Sequence, residues 1–204
     1  MVAKDYRHVA SEKAKKYTGL LVLICFIYAL IVSAVTGINA IGFVPVYTWI
    51  ATSVSGVLGI FILPPLMLGV HYVSKVTYEG GDLSVGNLFN GFKTNYWKSI
   101  GLDLLGGIYL ILWGVWSLGI GAIIKSYSYS MATFILEEHP EIGVNEAITK
   151  SKEMMHGHKW QLFCMQISYI GWAILVVLTL GILGLWVSPK MAIANYAFYC
   201  EVKK

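Results

Sequence analysis

Six apolar stretches, each near the length of a membrane crossing, are joined by segments too short to form domains of their own. A helix needs about 20 residues to cross the hydrocarbon of a bilayer. Runs of roughly that length occupy 18–37, 56–75, 97–117, 120–137, 160–179 and 182–200. The 204 residues are 57% apolar and 13% charged, whereas a soluble domain carries about a quarter charged residues. A chain this short also leaves much of its surface exposed. Lipid around the helices removes the conflict. The expected fold is all-α: a polytopic membrane protein with six transmembrane helices as three hairpins, forming one integral membrane domain over 1–204.

Charge orients those helices. With six spans, 13 of the 15 basic residues fall on the side that holds both termini, Lys75 and Lys98 at the inner ends of their spans, and the other two, Lys125 and Lys190, lie well inside spans. The positive-inside rule makes that side cytoplasmic. The expected place is therefore the cell membrane, multi-pass, with both termini cytoplasmic. The net charge of +4 is spread over juxtamembrane segments, where anionic headgroups rather than nucleic acid are the counter-ions. The run 19–34 follows a long basic segment and reads as a retained first span rather than a cleaved leader.

The tripeptide Leu-Gly-Ile occurs at 58–60, 118–120 and 180–182, at spacings of 60 and 62 residues. Each copy falls where an outgoing helix would turn back, which predicts a triplicated hairpin. Two cytoplasmic segments carry helical apolar stripes and read as amphipathic helices on the inner surface or against the bundle, at about 84–93 and 144–156. The first places Val85, Leu88, Phe89 and Phe92 on one face, with Ser84 as its cap; the second does so with Val144, Ala147, Ile148 and Ser151. The N-terminal stretch to Lys16, with Val9, Ala10 and Ala14, is a weaker counterpart. Tyr47 and Trp49 suit an outer interfacial segment. Pro64-Pro65 and Pro189 each remove a helix donor and are expected to interrupt the second and sixth spans.

Charges within spans are costly and mark candidate sites. Asp103, Lys125 and Lys190 are the three. At the helical rise, Lys125 lies ~9 Å and Lys190 ~13 Å in from the outer turns, with Asp103 ~24 Å in. Two readings stay open. The lysines and Asp103 snorkel to the nearest interface, or a polar cavity forms from Lys125, Lys190, Gln166, Asn195 and the hydroxyls of Ser126–Ser130. Ser126 and Ser130, four apart, share a face and suit close helix approach, as do Gly107 and Gly114 on the third span. The candidate intramembrane polar site is thus Asp103, Lys125, Ser126, Ser130, Gln166, Lys190 and Asn195. No catalytic, cofactor-binding or metal-binding constellation is visible. Glu137-Glu138-His139 precedes Pro140, an ordinary helix stop. Cys25, Cys164 and Cys200 form no CxxC pair and read as buried thiols.

The segment Ile123–Ala132, with Lys125-Ser126-Tyr127-Ser128-Tyr129-Ser130 at its centre, leads a series of motifs. Asn145-Glu146-Ala147-Ile148, Ser151–Trp160, Ile170-Gly171-Trp172, Thr179–Ile182 and Ala197-Phe198-Tyr199 follow in order. In these the chain resembles the bacterial integral membrane proteins classed as domain of unknown function 975, over essentially its whole length and most strongly at 84–200. It departs at Gly121-Ala122, where that family more often shows Pro-Gly. The resemblance implies six helices in a bacterial cell membrane, and an architecture akin to the membrane domain of some glycerophosphodiester phosphodiesterases. It supplies no activity.

The expected function is that of a non-enzymatic accessory, assembly or immunity-type factor acting through intramembrane contacts. Its partners would be the bilayer and a membrane protein or further copies of itself. The alternative is a small transporter or channel-like carrier of an anionic or amphiphilic solute, using Lys125 and Lys190. A lipid-modifying enzyme would have only Glu137, Glu138 and His139 to work with.

Overall fold

The computed structural model describes residues 3–37, 45–117 and 119–203. Every regular element among them is helical. Helix α1 (Ala3–Lys15) precedes α2 (Thr18–Gly37) and the long α3 (Pro45–Glu79). A 3-10 turn (Val85–Phe89) and the short α4 (Asn90–Thr94) lead into α5 (Tyr96–Trp116). Then come α6 (Ile120–Tyr129), α7 (Ala132–Glu138), α8 (Val144–Met154), α9 (Lys159–Ile167), α10 (Ile170–Leu178) and α11 (Gly184–Val202). Among the described residues, four helical stretches are long and apolar enough to cross a membrane: Thr18–Gly37, Thr52–Glu79, Tyr96–Trp116 and Lys159–Leu178.

The helix ends meet at one pole of the bundle, its base. There Tyr196 donates to Glu79 at 2.9 Å and Tyr199 to Glu138 at 2.5 Å. Lys75 reaches Glu137 at 3.3 Å, and Lys203 also bonds Glu138. Helix α1 docks here through Tyr6, Ala10 and Ala14, one helical face, all buried. The Tyr6 hydroxyl donates to Glu201 at 2.6 Å and accepts from Gln161 at 3.2 Å. Around these bonds sits the core, where Phe134 stacks on Tyr199 with ring centres 5.4 Å apart and meets His71 edge-on at 4.2 Å. Offset and edge contacts of this kind stabilise beyond the area they bury.

At about 1.5 Å per residue, α5 carries the chain some 30 Å from the base to a turn at Gly119. That glycine has φ +90, and Gly181 has φ +88 in the turn after α10. Both φ values lie in the left-handed region, which only glycine enters without strain. The first Leu-Gly-Ile copy corrects the expected triplication, because residues 58–60 lie inside α3 and make no turn. Sequence spacing alone could not tell a helical glycine from a turning one.

Other expectations change for stated reasons. Helix α3 runs through Pro64-Pro65 and α11 through Pro189, so these prolines do not end their helices as expected. The expected fourth span is instead divided at Ser130-Met131 and the fifth at Ser168-Tyr169. The expected surface helix at 84–93 is a 3-10 turn followed by one α-turn, and Ser84 donates to Asn87 instead of capping. This segment wedges against α3. A Cβ on Gly69 would lie 1.7 Å from the Leu88 carbonyl oxygen, and one on Gly91 would lie 2.0 Å from that of Pro65. Gly91 is thus a packing residue more than an exit from a helix. Helix α8 docks against the bundle, burying Ala147, Ile148 and Ser151. The N-terminal counterpart is a full helix, with Tyr6 rather than Val9 on its buried face. The placement expected for Tyr47 and Trp49 falls on side chains outside those described.

Candidate functional site

Three of the seven candidate polar residues come together. Asp103 on α5, Ser126 on α6 and Ser130 after it line a pocket of about 370 Å³ between α3, α5, α6, α7 and α8. The hydroxyl residues Ser99 and Thr133 also face it. Gly106 and Gly107 keep its α5 wall open, since a Cβ on either would touch nothing within 4 Å. The expected close approach therefore does not occur at Gly107; it occurs at Gly114, against Ala122. Ser126 and Ser130 turn their hydroxyl protons back to the carbonyls of Ile123 and Tyr127. Their oxygen lone pairs, with the Asp103 carboxylate, make the pocket rich in acceptors. No Lys or Arg belongs to its lining. Its chemistry suits a guest that donates hydrogen bonds.

The other four candidates go elsewhere. Lys125 lies over the face of Trp113, its ammonium 4.2 Å from the ring centre. That contact offsets part of the cost of a cation among apolar side chains. Gln166 accepts from Tyr127 at 3.0 Å, which ties α9 to α6. Asn195 lines a larger cleft of about 540 Å³ between α2, α3 and α11, whose lining carries no charged residue. The Asn195 Oδ1 and the His71 Nδ1 are both buried there without a hydrogen-bond partner among the described residues. Lys190 lines a third pocket, beside α1. None of the four main pockets among the described residues is shared by the two lysines. Depth along a helix is legible from spacing; the direction a helix faces is not.

The acidic residues considered for chemistry are engaged in structure. Glu137 pairs with Lys75, and His139 faces Glu141 at 3.1 Å. Burial alone would raise the Glu138 carboxyl, but hydrogen bonds from Lys203 and Tyr199 outweigh it and hold the group below its ordinary value. Burial and the neighbouring Glu201 raise the Tyr6 phenol, which remains a donor. The three cysteines are free and half-buried.

Sequence reasoning missed two groups. One is the set of tyrosine–glutamate bonds at the base, which join residues more than 60 positions apart. The other is Ser151, which donates to the Ser128 carbonyl at 2.8 Å and accepts from the Met131 amide at 3.2 Å. It bridges the break between α6 and α7. The polar Ser151 on an otherwise apolar stripe was the available signal.

Residues 115–204 match the model of the family described as protein of unknown function (DUF975), a narrower stretch than the resemblance expected. No curated protein and no solved structure matches the chain. The matched stretch holds α6 to α11, and with them Lys125, Ser126, Ser130, Gln166, Lys190 and Asn195; over these residues the chain is similar to the DUF975 family of proteins of unknown function.

Proposed function

We propose that this is a six-span bacterial cell-membrane protein with both termini in the cytoplasm, acting without catalysis by lateral contacts within the bilayer. Helices α6–α7 and α11 supply the two crossings beyond the four long apolar stretches. Two observations support this threading. The ends of α3, α7 and α11 meet at one pole through Glu79, Glu138 and Lys203, and the turns at Gly119 and Gly181 lie a helix length away. Trp97 and Trp160, each 72% exposed, suit the inner headgroup level, where indoles concentrate.

One observation carries the functional reading: α10 buries none of its residues. The far half of α5 is nearly as bare, with Ile111, Val115 and Trp116 exposed, the last to 88%. Two apolar faces without a partner among the described residues fit a helix from another membrane protein or from a second copy. The carrier reading draws no comparable support, because Lys125 and Lys190 lie in separate surroundings.

Photocrosslinking residues placed at Ile111 and Ile174 in cells should trap a discrete protein adduct. A crosslinker at Ser11 on α1 serves as the control. Adducts with lipid alone at both helix positions would sink the reading.

A further inference from the structure

Lys190 is half-buried. It lines a pocket of about 370 Å³ closed by α1 on one side and by α10 and α11 on the others. Helix α1 contributes Lys4, Arg7 and His8. No Asp or Glu belongs to the lining, and among the described residues Lys4, Arg7 and Lys190 form no ion pair. Of the four, His8 alone has a described ion pair, with Glu12 at 3.8 Å. Cations gathered without counter-charge repel one another, and an anion resolves the repulsion.

The hydrogen bonds make the same demand. Arg7 spends Nη1 on the Ser168 carbonyl at 2.8 Å, but its Nε–H is buried without a partner among the described residues. Tyr169, only 7% exposed, also has a buried hydroxyl without a partner among those residues. An unmet buried donor costs free energy until an acceptor arrives. The opposite end of the pocket is apolar, formed by Trp172, Leu183, Trp186 and Val187. It therefore offers donors and positive charge at one end and two indoles with aliphatic wall at the other.

From this polarity we infer that the pocket holds an anionic phospholipid, its phosphate between Arg7, Tyr169 and Lys190 and an acyl chain along Trp172 and Trp186. Basic pockets between membrane helices recognise such headgroups by charge and by matched donors. The site needs the chain to sit in a bilayer but needs no protein partner, so failure of the crosslinking above leaves it standing.

The test is native mass spectrometry of the full-length, delipidated protein with phosphatidylglycerol, phosphatidylcholine or inorganic phosphate. Wild type should bind one phosphatidylglycerol about tenfold tighter than phosphatidylcholine. Lys190→Met should cut that preference about fivefold, near the value of one basic group at a membrane surface. Tyr169→Phe keeps the ring and should weaken phosphatidylglycerol binding itself by about tenfold, as one lost hydrogen bond to a charged acceptor predicts. Lys125→Met, outside the pocket, should leave the preference intact. Equal binding of the two lipids, or an unchanged preference in Lys190→Met together with an unchanged affinity in Tyr169→Phe, overturns the assignment. So does an equal loss in Lys125→Met. Displacement of phosphatidylglycerol by equimolar inorganic phosphate would make this a free-anion site and overturn the lipid.

Discussion

Helices α7 and α10 are both short and mainly apolar, yet they meet opposite fates. Helix α7 buries Ala132, Phe134, Ile135 and Leu136, while α10 buries nothing. The contrast extends to the regions around them. At the base, tyrosines, glutamates and lysines from α1, α3, α7 and α11 interlock over an aromatic core. Toward the turns, the far halves of α5 and α10 present large apolar side chains outward. In lipid, apolar faces gain little by meeting one another, so association there depends on close packing or polar bonds. The base has both and the turn end has few. Stability should therefore reside at the base, leaving the far end free to meet lipid or a partner.

Substitutions can break that contrast. The largest effect should come from Phe134→Ala, which removes the ring shared by His71, Tyr196 and Tyr199. A loss of about 3–5 kcal/mol is expected for a buried aromatic. Val177→Ala on α10 should stay within about 0.5 kcal/mol, as exposed positions do. Denaturation in mild detergent measures both, and similar losses would show the two regions to be equally packed.

Glycines sharpen the same comparison. Gly69→Ala forces a methyl into the Leu88 carbonyl and should cost about 1–3 kcal/mol by overpacking. Gly106→Ala meets open space and should gain up to about 1 kcal/mol from helix propensity. Opposite signs in melting temperature are the expected result. Ser151→Ala comes next. It strands the buried Met131 amide and frees the Ser128 carbonyl, at about 1–3 kcal/mol. Hydrogen exchange should speed first at the junction of α6 and α7.

How much of this could be read from the chain depends on what each signal encodes. Hydrophobic length located α2 and α5 to within a residue or so, because a crossing needs a fixed number of apolar residues. The stripe Val144, Ala147, Ile148, Ser151 located α8, because periodicity records which face is buried. Pro64-Pro65 misled, because a donor lost within a membrane helix need not break it when neighbouring groups compensate. Leu58-Gly59-Ile60 misled, because a glycine in a tripeptide does not specify its own φ. At the site, Asp103, Ser126 and Ser130 shared a pocket as their depths allowed. Lys125 and Lys190 separated because their helices face different neighbours. Arg7 was out of reach of span logic altogether, since its bond to the Ser168 carbonyl comes from α1 packing against α9 and α11.

The smallest effect concerns acid. Glu138 binds Tyr199 and Lys203, and these bonds hold its carboxyl below the ordinary value near 4.5 in spite of burial. A group whose folded pKa is depressed stabilises the fold above its unfolded pKa, and that contribution is lost as pH falls through the folded value. Wild type should therefore melt above Glu138→Gln at neutral pH, with the gap closing once the pH drops below about 4.5. The gap itself should be small, because the pair is partly solvated and screened. Substitutions confined to α10, which carries no ionisable residue, should show no such convergence. If Val177→Ala and wild type also converge on acidification, the titrating group lies elsewhere, and the base loses its electrostatic share of the contrast.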